Sequence, residues 1–167
     1  MKTFAPQVFT LLLFGFVFIS CSQESNDLEF EQTNKIEVTE INYSEFESKI
    51  LDLINNHRTS IGLSTLSKSN IVSSVAEDHT NYMIENGKVN HDNFQNRVKA
   101  LKEQEKAISV GENIAFGYRS AEGVVNGWLN SEGHKEIIET SDYTHFGIST
   151  KSDSDGKNYF TNIFIKK

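Results

Sequence analysis

Gly111-Glu112-Asn113-Ile114-Ala115, followed by Gly127-Trp128-Leu129-Asn130-Ser131-Glu132-Gly133-His134, sets an ionisable carboxylate and an imidazole inside glycine-flanked, largely apolar segments. A charge in such surroundings is kept only where it meets a partner, because moving an unpaired carboxylate out of water is strongly unfavourable. The two stretches therefore call for a shared polar cluster. His79 and His91, upstream, are the histidines placed to complete it.

Around these stretches the chain punctuates itself into helices first and strands last. Ser44 and Glu47 have capping-box spacing, and Phe46, Ile50, Leu53, Ile54 and His57 recur at helical spacing until Gly62. Ser69 opens a second helix whose inward stripe runs Val72, Val75, Ala76, His79, Tyr82 and Met83, with Gly87 as its C-terminal breaker. Asn93 is expected to cap a third helix through Phe94, Val98 and Leu101, and Ser120 a fourth through Val124, Val125, Trp128 and Leu129. Gly123 and Gly127 weaken that fourth helix by up to about 1 kcal/mol each. Phe146, Ile148 and Thr150 alternate, Asp153-Ser154-Asp155-Gly156 turns the chain, and Tyr159 to Ile165 is rich in β-formers, which is a hairpin pattern. With further strand expected within Ala107 to Phe116, the class is α+β: helices layered on a mostly antiparallel sheet.

The N-terminus has a different character. Lys2 precedes the almost wholly apolar run Val8 to Ile19, which is shorter than the roughly 20 residues a spanning helix needs. Residues 1–20 therefore read as a secretory signal peptide. Cys21 is the single cysteine, so no disulfide can form within the chain. Phe18-Ile19-Ser20-Cys21 resembles the lipobox of a bacterial lipoprotein, with Phe where Leu is commonest, and the resemblance implies acylation of Cys21. Several acyl chains, at about 0.8 kcal/mol per buried methylene, would hold the protein on a bilayer where a single chain is marginal. Residues 21–43 carry Glu24, Asp27, Glu29, Glu31, Glu37 and Glu40 against Lys35 alone. Such a stretch buries too little apolar surface to offset its ordering entropy and reads as a flexible acidic tether. Residues 44–167 then form one domain. The formal charge of −7, with no basic stripe, excludes nucleic acid as a partner.

Several segments together resemble one family. His79-Thr80-Asn81-Tyr82-Met83, Asn90-His91-Asp92-Asn93-Phe94 through Arg97, Gly111 to Ala115, Trp128 through His134, and Tyr143 to Gly147 occur in the order and with the gaps of the CAP superfamily: the cysteine-rich secretory, antigen 5 and pathogenesis-related proteins. The resemblance, from about Tyr43 to Lys167, implies an α-β-α sandwich with a central antiparallel sheet between helical layers. It also implies a cleft holding His79, His91, Glu112 and His134, with Asp92 as a reserve acid. Glu132 stands where bacterial members commonly have Pro and adds a carboxylate beside His134. A carboxylate neighbour such as Glu112 would raise the basicity of His134. His57 and His145 are carried by no motif and are read as structural, and Trp128 is read as core packing.

Two or three imidazoles and a carboxylate can hold zinc or another divalent transition metal, here through His79, Glu112 and His134. They can equally share protons through hydrogen bonds. The first functional reading is a binding module rather than an enzyme: an exported, lipid-anchored domain of the bacterial cell envelope, at the outer membrane or cell surface, whose cleft takes a small-molecule or lipid ligand. The alternative is a metal-dependent hydrolase of peptide, ester or cell-wall substrates with Glu112 as general base. Ser131 lies near His134 but has no G-x-S-x-G elbow around it, so a serine hydrolase ranks below both.

Overall fold

The structure, a computed structural model, describes residues 42–167. The signal segment, Cys21 and all but the end of the tether lie outside the described residues. The described part runs α1 (Glu45–Ser60), β1 (Ser67–Lys68), α2 (Asn70–Asn86), α3 (Phe94–Glu105), β2 (Ser109–Phe116), α4 (Ala121–Leu129), α5 (Glu132–Glu139), β3 (His145–Ser152) and β4 (Asn158–Lys166). Among the described residues no helix is long and apolar enough to cross a membrane.

The organising element is β4. It lies inside a sheet of order β1-β3-β4-β2, antiparallel to both neighbours. Its side chains alternate between two cores. Phe160 and Phe164 pack with Ile50, Ile54, Val124, Trp128 and Ile138 of α1, α4 and α5. Ile163 and Ile165 pack with Val72, Val75, Ala76 and Leu101 of α2 and α3. A strand that is apolar on both faces needs helices on both faces. The result is the expected α-β-α sandwich.

The caps do what the sequence implies at three of the four helix starts. Ser44 and Glu47 form the full capping box, Ser69 Oγ accepts from the Val72 amide, and Gly87 closes α2 at φ +61°. Ser120 Oγ accepts from the Gly123 amide. Glu47 does more: its other oxygen accepts the Thr150 amide at 2.8 Å, tying the start of α1 to β3. Asn93 stands at the N-cap of α3 but is held at φ +59° with no side-chain cap bond. Asn tolerates this left-handed turn better than most residues, and the turn swings the loop before α3 back toward α2. The hairpin between β3 and β4 forms as read, with Asp153 Oδ1 accepting the Asp155 and Lys157 amides.

Two elements differ from the sequence reading. The local pattern marks no helix after His134, yet α5 forms over Glu132–Glu139. The pair Ser67–Lys68 adds parallel to β3, so the sheet is antiparallel except at that edge. Tyr43, read as the end of the tether, already shares a hydrogen bond with Ser73 Oγ of α2.

Gly147 of β3 faces α2, and a Cβ there would collide with the Ser73 amide nitrogen and the Val72 carbonyl carbon. Helix and strand meet closely because this side chain is absent. Gly147→Ala should therefore destabilise by about 1–3 kcal/mol, the usual range for overpacking. Gly133→Ala, in a helical position with open space around it, should be neutral or slightly stabilising. Denaturant midpoints for the two variants measure the contrast.

Candidate functional site

Glu112 is nearly fully buried on β2 and points to the α2/α3 side of the sheet, like Ile114 two residues on. Its charge is matched there by Arg97, which forks onto it: Nε reaches Oε2 and NH2 reaches Oε1, each at 2.7 Å. The third donor group, NH1, binds the Asp92 carbonyl at 2.7 Å. His91 Nδ1 lies 2.8 Å from Oε1. Burial alone would raise the Glu112 pKa, but the bonds from His91 and Arg97 and the charges of Arg97 and His79 outweigh it and hold the carboxyl below its ordinary value. An ionised carboxylate only accepts, so His91 carries its proton on Nδ1 and its Nε2 is left for a ligand.

His79 arrives from α2 and is almost fully buried. Its Nε2 stands 4.0 Å from Glu112 Oε1 and donates to the Asn90 carbonyl at 2.8 Å. Burial, aided by the Arg97 and His91 charges, pushes His79 toward the neutral form against the pull of Glu112. His134, in the first turn of α5, makes no contact with Glu112 within ion-pair reach among the described residues. Its pKa moves down, through burial and the neighbouring charge of His91. The expected rise in basicity is corrected for that reason: the neighbour is an imidazole, not the carboxylate.

The cluster opens into a cleft of about 370 Å³ lined by His91, Phe94, Val110, Glu112, Ile137 and Tyr143. On the other side of the Arg97 fork, a recess of about 300 Å³ between α2 and α3 is walled by His79, Arg97 and Asp78 among others. A wider groove of about 810 Å³ lies elsewhere, between the start of α1 and Arg119. It is lined by exposed, mixed charges rather than by a buried polar group.

A family model for the cysteine-rich secretory protein family matches residues 51–164. The chain belongs to that family, the CAP family. It is 35% identical to an uncharacterized membrane protein, YlbC, of Bacillus subtilis over 82% of this chain and 37% of that one. It is 33% identical to an uncharacterized Bacillus subtilis protein, YkwD, over 71% and 47%. The chain thus spans less than half the length of these curated relatives. Among solved structures it resembles an outer surface protein of Borrelia burgdorferi, with TM-score 0.68 and 25% identity over 76% of this chain and 96% of that one. It also resembles an extracellular SCP-domain protein of Bacillus anthracis, with TM-score 0.62 and 28% identity over 72% and 40%.

Within this CAP domain the structure brings His79, His91 and Glu112 together, and His134 only near enough for the His91 charge to act on it. Asp92 stays apart: its carboxylate accepts from Tyr82 and Asn90 and only its carbonyl joins the cluster. Glu132 is exposed and, among the described residues, forms no ion pair with His134. His57 pairs with Glu139, His145 with Thr144, and the Trp128 indole donates to the Ile114 carbonyl in the core. The residue the sequence reading missed is Arg97. The one local signal is that Phe94, Arg97 and Leu101 share a helical stripe, which sets a cation on an inward face; the carboxylate it answers is 15 residues away.

Two of the three groups read as metal donors, His79 and Glu112, already take part in hydrogen bonds. Three of the four lone-pair positions of Glu112 accept N–H donors. His79 Nε2 is spent on Asn90, and a dication there would sit beside a guanidinium.

Breaking one side of a buried, hydrogen-bonded pair costs about 3–5 kcal/mol, whereas replacing both with apolar groups is often close to neutral. Arg97→Met should therefore lower stability by that amount. The Arg97→Met/Glu112→Leu double variant should recover much of the loss, as a chemical-denaturation mutant cycle will show.

Proposed function

We propose that this CAP domain is an exported, lipid-anchored module of the cell envelope. Its cleft binds a small ligand with an apolar body and a polar end that meets His91 and Glu112. The carrying observation is the composition of the cleft: Phe94, Val110, Ile137 and Tyr143 form apolar walls, and a paired, ionised carboxylate with a half-exposed imidazole lies at one end. Apolar walls with a few convergent polar groups are the usual make-up of a ligand site. The surface and extracellular settings named for the Borrelia and Bacillus anthracis proteins support an envelope location.

The hydrolase reading loses its proposed base. A carboxylate held below its ordinary pKa by an arginine fork is a poor proton acceptor. Any acid–base step would fall to His91 Nε2 instead, and the ligand reading needs no metal. Titration of the chain with a fluorescent fatty-acid analogue should show saturable binding, weakened about tenfold or more by Ile137→Asp, since each 1.4 kcal/mol of lost contact is tenfold in affinity. Asp52→Lys, in the wider groove, should leave binding unchanged. Equal loss in both would remove the cleft from consideration. Zinc should show no stoichiometric site that Glu112→Gln abolishes.

The anchor rests on Cys21 at the end of the signal segment, and two or more acyl chains would make it stable. Labelled palmitate should enter the wild-type chain and be absent from Cys21→Ser. Label that persists in the variant would overturn the anchor.

A further inference from the structure

The CAP cleft has two walls that come from opposite faces of the sheet. One wall, His91 with α3, is held by Glu112. The other is α5, which supplies Ile137 to the cleft and carries His134. Eight residues make too short a helix to stand alone in water, and its N-cap Ser131 makes no side-chain cap bond. Something outside α5 must place it.

That something is the residue next to Glu112. Successive residues of a strand point to opposite faces, so Asn113 faces the α5 side. It is fully buried, and its Nδ2 donates to the His134 carbonyl at 3.0 Å. We infer that Asn113 is a positioning residue. Adjacent residues 112 and 113 of β2 act as a bracket, Glu112 fixing one wall of the cleft and Asn113 the other, so the strand sets the gap between His91 and His134. Gly111 completes the bracket: a Cβ there would meet the Tyr143 hydroxyl and Ile137, so only a bare backbone lets the α5 wall close on the strand.

The molecule contains its own control. Directly opposite Asn113 in the sheet lies Asn162, equally buried, whose Nδ2 donates at 2.9 Å to the Gly147 carbonyl of β3. Both Oδ1 atoms lack a donor among the described residues. Neither amide can be turned over, since that would set oxygen against a carbonyl oxygen. The two carboxamides thus share environment, geometry and orphaned oxygen, and differ in what they hold: a cleft wall or a neighbouring strand.

The inference takes from the ligand reading only the purpose of the wall, so its test uses no ligand. Asn113→Leu and Asn162→Leu, near-isosteric and unable to donate, are compared in the mature chain by the NMR signals of the His134 ring and by amide exchange. Both should lose comparable stability. Only Asn113→Leu should shift the His134 signals and speed exchange of the α5 amides by about tenfold beyond the global change, the size of effect one buried hydrogen bond carries. Equal effects in the two variants, or an unmoved His134 in Asn113→Leu, would overturn the bracket. Should the leucine variants not fold, Asn113→Ser and Asn162→Ser are compared in the same way with the same outcomes.

Discussion

An ionised carboxylate buried in the sheet is the constraint around which the rest of this end of the molecule is arranged. Left alone, Glu112 would take up a proton or draw water to itself. Instead Arg97 matches it in a planar two-bond fork, and His91 adds a third N–H. Those partners must then be held, and each is held by backbone. Arg97 NH1 grips the Asp92 carbonyl, His79 grips the Asn90 carbonyl, and the left-handed Asn93 turns the chain between them into α3. The partners of one charge thus fasten the loop from 90 to 93, together with the bonds of Asp92 to Tyr82 and Asn90. A guanidinium suits the task better than an ammonium because it stays charged on burial and offers its donors in a fixed plane.

On the other face the same logic operates through buried side chains that donate to helix carbonyls. Helix α5 is short and weakly capped, and it is fastened at each end by a buried side chain from elsewhere. Asn113 takes the His134 carbonyl, and Arg58 of α1, itself fully buried, donates to the Ile138 and Thr140 carbonyls and to the Ser64 carbonyl. Arg58 has no carboxylate partner among the described residues. Its charge is offset by the carbonyl end of α5, where the helix dipole is negative. Burial lowers its pKa, and a guanidinium stays protonated in proteins.

What could be read from the sequence follows from range. Ser44, Ser69 and Ser120 announce helix starts because a cap is a bond to an amide two or three residues away. The β-formers in Tyr159 to Ile165 announce a strand for a similarly local reason, and the family motifs bring His79, His91, Glu112 and His134 to one neighbourhood. The elements that escaped depend on distant partners. Ser67–Lys68 is a strand only because Phe146 and His145 lie alongside, and α5 is a helix because Asn113 and Arg58 hold its carbonyls. Arg97 stands inside a family motif, but nothing beside it in the chain marks it as a site residue. The need it answers, a counter-charge for Glu112, comes from a strand 15 residues on.

Under the proposed ligand reading, the arrangement serves holding rather than turnover. A general base needs a lone pair whose proton affinity lies near the working pH, and the fork on Glu112 spends its basicity on stability. Its remaining effect is to fix the tautomer of His91, so that one imidazole nitrogen faces the cleft as an acceptor whenever the ring is neutral. His79, pressed toward neutrality and spent on Asn90, adds shape rather than reactivity. His134, on the helix that forms the opposite wall, has its pKa lowered by burial and by His91. The His91 ring beside apolar side chains suits a ligand that donates a hydrogen bond at one end and buries carbon at the other. The carboxylate behind that ring keeps the geometry in register.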